Sequence, residues 1–271
     1  MDKFILIRGG GDLASGVALR LHRVGMHVLI TELAQPLVVR RLVSFAEAIY
    51  RGQTRVEELL AEQVNSFVDI QSAWNSGNIP VMVDPDCSIL KEDEETAIRF
   101  DVLVDARMTK GPPYLDLTSA PLIIGLGPGF VAGVNCHAVV ETKRGHFLGR
   151  VIWQGSAIAD SGIPDGYGTK YHDRVLRSPA DGLFIAHSEI CTQLQAGDLI
   201  AEVNSHQIRA PFEGILRGLL HDGLQVSRGL KVGDLDPRND PIYCTLVSDK
   251  SLAIAGGVLE AVLSTKTLKD P

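Results

Sequence analysis

Short apolar runs alternate with a helical pattern along the first part of the chain. The run "FILIR" (4–8) predicts a strand, and "HVLITE" (27–32) predicts a second one. Between them, "GGGDLASGVALRLHRVG" places its apolar residues at the spacing of a buried helix face. Because two strands joined by a helix run parallel, this βαβ pattern predicts a parallel sheet.

Three more apolar runs extend the expected sheet: "IPVMVD", "DVLVDA" (101–106) and "PLIIGLG" (121–127). The segment "RVEELLAEQVNSFVDIQSAW" has apolar residues on one face of a helix and predicts a crossover helix between strands. The fold class expected from this pattern is α/β, with a Rossmann-like doubly wound parallel sheet over residues 1–157.

The second half contains an internal repeat. "RSPADGLF" (177–184) and "RAPFEGIL" (209–216) match at an offset of 32 residues, and Gly197 and Gly229 keep that offset. Two such strand-turn-strand units predict a small pseudo-symmetric β-sandwich, assigned to residues 158–250. Within it, "KVGDLDPRND" predicts a turn. The segment "DKSLAIAGGVLEAVLS" predicts a helix that packs back on the core, and residues 251–271 are assigned to it.

Composition narrows the classes of partner. The 271 residues carry a net charge of −7 with 45% hydrophobic side chains, which predicts an ordered globular chain and argues against nucleic acid as a partner. No apolar run predicts a signal peptide or a membrane span. The four cysteines are scattered without a disulfide or zinc spacing, which favours the cytoplasm.

The turn after the first strand is the first candidate site. Gly9, Gly11 and Ala14 satisfy the glycine pattern of dinucleotide-binding turns, and Glu32 ends the next strand where it can accept from a ribose hydroxyl. The candidate cofactor-binding residues are Gly9, Gly10, Gly11, Asp12, Ala14, Ser15, Gly16 and Glu32. The alternative is a tight turn with Glu32 in solvent and Asp12 as a helix N-cap.

Two further segments carry candidate catalytic residues. Asp105, Arg107 and Lys110 follow a predicted strand and can bind an anion or transfer protons, or else are solvated loop charges. Cys136 can act as a nucleophile or a soft metal ligand, or can pack as a small apolar residue. His137 adjoins it, but neighbours on a strand face opposite sides, so only an irregular backbone brings both to one ligand.

The repeat resembles the barrel-sandwich hybrid of biotinyl and lipoyl carrier domains. In those families a modified lysine lies on the hairpin between the two halves. The equivalent hairpin here, "AEVNSHQIRAP", has no lysine, and none occurs between Asp198 and Leu230. The resemblance therefore implies the fold of a carrier domain without its swinging arm.

Blocks along nearly the whole chain look like the YqeB-type accessory proteins of selenium-dependent molybdenum hydroxylase systems. The blocks are "IRGGGDLASGVALRLHR", "VRRLVSFAEAIYRG", "GLGPGFVAGVNCHAVVETKRGHFLGRVI", "KVGDLDPR" and "AIAGGVLEAVL". The resemblance implies a cytoplasmic maturation factor of a bacterium or archaeon. The chain is also similar to the XdhC type of chaperone, whose cofactor-handling cysteine would correspond to Cys136.

Two functions are expected. The first is an accessory factor that binds a small anionic cofactor, with molybdenum cofactor as the candidate, and delivers it to a molybdenum hydroxylase client. The alternative is an NAD(P)-dependent oxidoreductase that binds NAD at the glycine turn and uses Lys110 or His137 for proton transfer. A scaffold that binds only protein partners, and a homo-oligomer, stay open.

Overall fold

The computed structural model describes residues 3–91, 98–108, 116–159 and 173–264, which fall into two compact units. Unit 1 comprises Met1–Pro36, Phe45–Ser161 and Val247–Pro271, and unit 2 comprises Leu37–Ser44 and Gly162–Leu246. The helices are α1 (Asp12–Arg23), α2 (Ala48–Arg51), α3 (Phe67–Asn75), α4 (Ile242–Thr245) and α5 (Asp249–Ser264). Short 3₁₀ turns cover Arg41–Val43, Phe45–Glu47, Ser88–Lys91 and Leu117–Ser119.

Unit 1 is built on one large mixed sheet. Its strands are β1 (Phe4–Arg8), β2 (His27–Glu32), β3 (Gln53–Val56), β4 (Leu59–Val64), β5 (Ile79–Val83), β6 (Val102–Asp105), β7 (Leu122–Leu126), β8 (Val131–Ala132), β9 (Ala138–Val140), β10 (Val151–Ile152) and β11 (Gly155–Ser156). Nine of them form a sheet in the order β10-β9-β7-β6-β1-β2-β5-β4-β3. The pairs β3–β4 and β9–β10 at the two edges are antiparallel, and the pairs between them are parallel. β8 and β11 pair separately.

The predicted βαβ unit is present, with β1 and β2 parallel and α1 between them. Apolar residues of α1 are buried, and α1 also packs against α5. Gly16 permits this approach, because a Cβ there would lie 2.7 Å from the Ser251 Cβ. The helix predicted for the C-terminal segment is likewise present as α5.

Helices cover both faces of the sheet. Leu6 and Val139 belong to the same buried cluster as Ile70 of α3, which marks one face. Val140 lies beside Gly257 of α5, and neighbours along a strand point to opposite faces. α3 and α5 therefore pack on opposite sides of the strands.

The predicted fold class, a Rossmann-like doubly wound parallel sheet, is wrong. The sheet is mixed rather than a doubly wound parallel sheet, and within the described residues no helix connects β6 to β7 or β7 to β9. Residues 55–74, predicted as one helix, form the end of β3, all of β4 and most of α3. The chain reverses between β3 and β4 at Glu57, which has a φ of 51°. The apolar residues there satisfy strand alternation as well as helical spacing, and sheet pairing decides between the two.

Unit 2 consists of two small antiparallel sheets. Its strands are β12 (Val175–Arg177), β13 (Gly182–Ala186), β14 (Gln193–Leu194), β15 (Leu199–Val203), β16 (His206–Arg209), β17 (Gly214–Leu219), β18 (Gln225–Val226) and β19 (Lys231–Asp236). One sheet has the order β12-β19-β17-β14, and the other has the order β16-β15-β13-β18. The segment predicted as a turn at 231–240 therefore begins with a strand, β19.

The internal repeat has a clear structural counterpart. β13 and β17 begin at Gly182 and Gly214, and β15 and β19 begin at Leu199 and Lys231, each pair at the offset of the sequence repeat. The equivalent strands occupy equivalent positions in the two different sheets. The expected carrier-type barrel-sandwich hybrid is corrected to two four-stranded antiparallel sheets.

Buried charges stabilise one sheet of unit 2. Arg217 on β17 contacts Asp234 at 3.0 Å and Asp236 at 2.9 Å, and both carboxylates are almost fully buried. Burial alone would raise the pKa of Asp234, but the charges of Lys231, Arg217 and Arg174 outweigh it and lower that pKa to about 2. The carboxylate is thus ionised and matched by cations inside the unit.

We expect Asp234→Asn to destabilise unit 2 by about 1.5–3 kcal/mol at neutral pH, because it removes one of the two carboxylates that pair with the buried Arg217 guanidinium. The folded-state pKa lies below the ordinary value of 3.8, so this stabilisation is present above pH 3.8 and is lost as the pH falls towards about 2. Urea unfolding of wild type and variant at neutral and acid pH measures the difference. The exposed Glu213→Gln is the control, and an equal loss at every pH would contradict the assignment.

Candidate functional site

Polar side chains gather at one edge of the sheet in unit 1. Arg8, Glu32 and Asp105 end β1, β2 and β6, and Asp84 directly follows β5. Arg8 is paired in register with Asp105 on one side and with Thr31 on the other. Because these strands are parallel, their carboxyl ends meet at this edge, where open α/β sheets bind ligands. We call Arg8, Thr31, Asp84, Cys87, Asp105 and Arg107 the strand-end cluster.

The predicted dinucleotide turn lies beside this cluster and is occupied by the protein's own groups. The Gly10 amide donates to Glu32 Oε2 at 2.7 Å, and the Gly10 carbonyl accepts from the Ala46 amide at 2.9 Å. A Cβ at Gly10 would lie 2.9 Å from the Ala46 nitrogen. The glycine therefore serves close backbone packing, and the amide expected to hold phosphate already has a carboxylate partner.

The remaining residues predicted at this turn pack within the unit. Ser15 Oγ donates to the Gly10 carbonyl and accepts from the Phe45 amide at 2.8 Å. Ala14 is fully buried, and Gly16 lies against α5. Gly9 has a φ of 93°, a backbone conformation that residues with a side chain rarely adopt, so this turn requires glycine.

The residue that caps the start of α1 is not Asp12, which one interpretation of the sequence expected. The N-cap residue is Gly11, in an extended conformation and without a side-chain cap. Asp12 is instead the first helical residue, where its negative charge is favourable to the helix dipole. The suggestion that Asp12 is the N-cap is corrected to this position.

Glu32 is a half-buried carboxylate bound by backbone amides. Its Oε1 accepts from the Leu33 amide at 2.7 Å, in addition to the Gly10 bond on Oε2. Burial raises the pKa of Glu32, and the two amide bonds oppose that rise only in part. The Glu32 side chain thus joins the end of β2 to the glycine turn that follows β1.

Asp105 is held by two guanidinium groups. Arg107 binds it in a fork, with Nε 3.0 Å from Oδ1 and Nη2 2.7 Å from Oδ2. Arg8 Nη1 lies farther away, at 3.9 Å from Oδ2. Asp105 is only 1% exposed, and its carboxylate is engaged as an ion-pair partner. The acid–base role expected for Asp105 stays a prediction.

Arg8 has the most unusual environment in the cluster. The residue is 5% exposed, and its Nη2 donates to the Pro85 carbonyl at 2.7 Å. Its Nε and Nη1 atoms are buried and have no hydrogen-bond partner among the described residues. A buried guanidinium normally satisfies its donors, so these two atoms require an explanation.

The other cluster members surround that cation. Asp84 accepts from the Ser88 and Ile89 amides at 2.8 and 3.0 Å. Cys87 Sγ lies 3.4 Å from Thr31 Oγ1, and burial raises the pKa of this thiol. The Asp84 carboxylate is thus satisfied by backbone, and Cys87 is predominantly a neutral thiol.

Cys136 and His137 are not members of the strand-end cluster. Cys136 is fully buried in the core shared with α3, and burial raises its pKa to about 11. His137 bonds to β7, with its Nδ1 accepting from the Ile123 amide at 2.9 Å. Cys136 is therefore placed as a core residue, and Lys110 lies outside the described residues.

The sequence analysis missed Arg8, Thr31 and Cys87. Arg8 was included in the apolar strand "FILIR" and was not considered as a site residue. Arg8 is the last residue of a strand that was expected to be buried on both faces. A cation in such a place is rare, and it could have indicated a site. Thr31 and Cys87 reach the cluster only through strand pairing and the turn after β5.

Two other kinds of site, a metal centre and a membrane-spanning helix, are absent from the described residues. Among the described residues, no group of three or more histidine, cysteine or acidic side chains is arranged to hold a metal ion. Over the same residues, none of the helices combines the length and apolar character needed to span a bilayer.

Sequence comparison finds one informative relative. No family model matches the chain. The chain is 44% identical over 261 residues to the "Uncharacterized protein YqeB" of Escherichia coli (strain K12), which covers 96% of this chain and 47% of that protein. It therefore spans about half the length of the curated relative that it matches. This supports the YqeB-type resemblance, but not the selenium-dependent molybdenum hydroxylase role or the XdhC-like features.

Similar solved structures are distant. An aspartoacylase family protein from Mesorhizobium loti is 13% identical with a TM-score of 0.26, covering 87% of this chain and 85% of that one. A succinylglutamate desuccinylase from Silicibacter sp. TM1040 is 16% identical with a TM-score of 0.25, covering 86% and 84%. Such scores carry no argument for an acylase or desuccinylase activity here.

The expected function is corrected by the structure of the glycine turn. The Gly10 amide, which was expected to hold an anionic cofactor, donates to Glu32, and the backbone at Ala46 packs against the same turn. The expectation of a maturation factor that delivers a cofactor from this site to a molybdenum hydroxylase is therefore overturned. Its oxidoreductase alternative falls with it, because the dinucleotide turn on which it rests is occupied by Glu32 and Ala46.

We expect Gly10→Ala to destabilise unit 1 by about 1–3 kcal/mol, because the new Cβ meets the Ala46 backbone. The control is Gly256→Ala in α5, where a Cβ meets nothing within 4 Å and the better helix propensity should stabilise slightly. Thermal unfolding compares the two, with and without NAD⁺. A raised melting temperature with NAD⁺ in the wild type would contradict an occupied turn.

Proposed function

We propose that unit 1 binds a small molecule bearing a carboxylate or phosphate group at the strand-end cluster, with Arg8 as the principal cation. The observation that carries the proposal is the pair of buried Arg8 nitrogens, Nε and Nη1, for which the described part of the chain offers no hydrogen-bond partner. An anion that accepts from them would complete the site.

The energetics favour such a partner. Removing a guanidinium from water costs several kcal/mol unless charge and hydrogen bonds compensate. Arg8 has one carbonyl bond and a carboxylate at 3.9 Å, beyond hydrogen-bonding distance. A protein that retains this arrangement sacrifices stability, which is typical of binding sites.

The neighbouring carboxylates do not fill this need. Asp105 is bound in a fork by Arg107, and Asp84 and Glu32 accept from backbone amides. Within the strand-end cluster two arginines, Arg8 and Arg107, accompany two aspartates, Asp84 and Asp105, so the formal charge of the cluster is zero. Arg8 is the charged group of this cluster whose hydrogen bonds are least complete among the described residues.

The charges also indicate the size of the ligand. A chain with a net charge of −7 repels extended polyanions, whereas one incompletely paired guanidinium suits a single small anion. Arg107 is the more exposed of the two arginines and lies at the glycine turn, where a Cβ on Gly9 would meet it at 3.3 Å. An approaching anion would meet Arg107 before Arg8.

We expect Arg8→Met to weaken anion binding without unfolding the protein. Calorimetry and thermal shift would use a panel of succinate, citrate, phosphate, pyrophosphate and AMP. Loss of charge-assisted hydrogen bonds worth about 1.5–3 kcal/mol corresponds to roughly 10- to 100-fold weaker binding. The stability of the ligand-free variant should equal or exceed that of wild type, because a buried charge without a full partner has been removed.

The matched control is Arg55→Met, which removes an exposed arginine that bonds only to the nearby Glu58 carbonyl. It should leave anion binding unchanged. If no anion of the panel stabilises the wild type, and Arg8→Met lowers its melting temperature, Arg8 is a structural residue and the proposal is wrong.

A further inference from the structure

Two cysteines of unit 2, far apart in sequence, meet beside one backbone carbonyl. The Cys191 amide donates to the Leu216 carbonyl at 2.8 Å, and Cys244 Sγ lies 4.0 Å from the same oxygen. Interaction with Cys191 also contributes to the raised pKa of the Cys244 thiol, in keeping with this proximity. Unit 2 therefore contains a close pair of free thiols, which the scattered spacing in sequence did not reveal.

The two thiols differ in exposure and in backbone conformation. Cys191 is half-buried, whereas Cys244 is 1% exposed. Cys191 has a φ of 76°, a left-handed conformation that a cysteine rarely adopts. Such conformations persist where surrounding contacts enforce them and are concentrated at functional positions. Cys191 is thus the thiol that a reagent from solution meets first.

Cys244 is held in place by its surroundings. It lies on α4, and Arg40 donates to the Tyr243 and Leu246 carbonyls at 2.8 and 3.3 Å, which fixes the chain on both sides of it. Burial, followed by the contact with Cys191, raises the pKa of the Cys244 thiol to about 12, although Arg40 and Arg217 oppose the rise. Cys244 is therefore unreactive towards solvent while both cysteines are reduced.

We propose that Cys191 and Cys244 form a reversible disulfide by exchange with a low-molecular-weight disulfide such as oxidised glutathione. Cys191 loses its proton and attacks one sulfur of the small disulfide, which releases one thiol and leaves Cys191 in a mixed disulfide. Cys244 then loses its proton, attacks the Cys191 sulfur and releases the second thiol. The two cysteines are oxidised, and one small disulfide is reduced to two thiols.

The bond would link two parts of unit 2 that are remote along the chain. It would join the turn between β13 and β14 to α4, closing a loop that contains β14 to β19. Such a cross-link restricts the unfolded chain and stabilises the folded unit. This site would make the stability of unit 2 depend on the thiol redox state, independently of the anion site in unit 1.

The test treats the full chain with a graded series of oxidised and reduced glutathione. After quenching, free thiols are alkylated and the protein is digested for mass spectrometry. We expect a peptide pair joined through Cys191 and Cys244, a mass lower by two hydrogen atoms, and a melting temperature for unit 2 that rises by several degrees. Dithiothreitol should reverse all three changes.

Variants separate this reaction from nonspecific oxidation. Cys191→Ser, which alters the more exposed thiol, should abolish the linked peptide and the stabilisation, and Cys244→Ser should stop the reaction at the mixed disulfide on Cys191. The buried Cys87→Ser and Cys136→Ser in unit 1 are the controls and should oxidise as wild type does. Four alkylated cysteines at the most oxidising ratio, or linkage through Cys87 or Cys136, would overturn the proposal.

Discussion

The alignment of parallel strand ends in unit 1 removes several charges from water at the same edge. Each of these charges then needs a partner within the few residues that the edge brings together. Asp105 obtains a guanidinium fork from Arg107, and Glu32 and Asp84 obtain backbone amides. Arg8 obtains one carbonyl and a carboxylate at 3.9 Å, which is an incomplete set. The proposed function follows from this imbalance.

The same requirement explains why the glycine turn is not an open anion site. An amide at the beginning of a helix attracts negative charge, and the nearest negative group is the Glu32 carboxylate of the protein itself. The segment around Ala46 then covers the turn, and only glycine at position 10 permits that approach. Glycines that are typical of phosphate binding can therefore serve packing, because both uses need a backbone without a side chain.

Unit 2 shows a different use of buried polar groups. Its repeated strands distribute themselves over two sheets, and Arg217 lies between the Asp234 and Asp236 carboxylates of the neighbouring strand. Cys191 and Cys244 come together at the Leu216 carbonyl, which accepts from the Cys191 amide and lies 4.0 Å from the Cys244 sulfur. The ion pairs of Arg217 are thus a fixed part of this unit. The bond between Cys191 and Cys244, in contrast, is proposed to form and break with the redox state.

The chain by itself determined those elements whose local pattern allows one solution. β1, α1, β2 and α5 were predictable, because short apolar runs marked the strands and apolar residues at helical spacing marked the helices. The offset of the repeat predicted the matching strands of unit 2. Only the tertiary structure decided the hairpin of β3 and β4, since their apolar residues suit both patterns and sheet pairing selects one. It also decided the site. Hydrogen-bond partners such as Glu32 for Gly10, and the lack of them at Arg8, arise between residues that are distant in sequence and depend on which strands lie side by side.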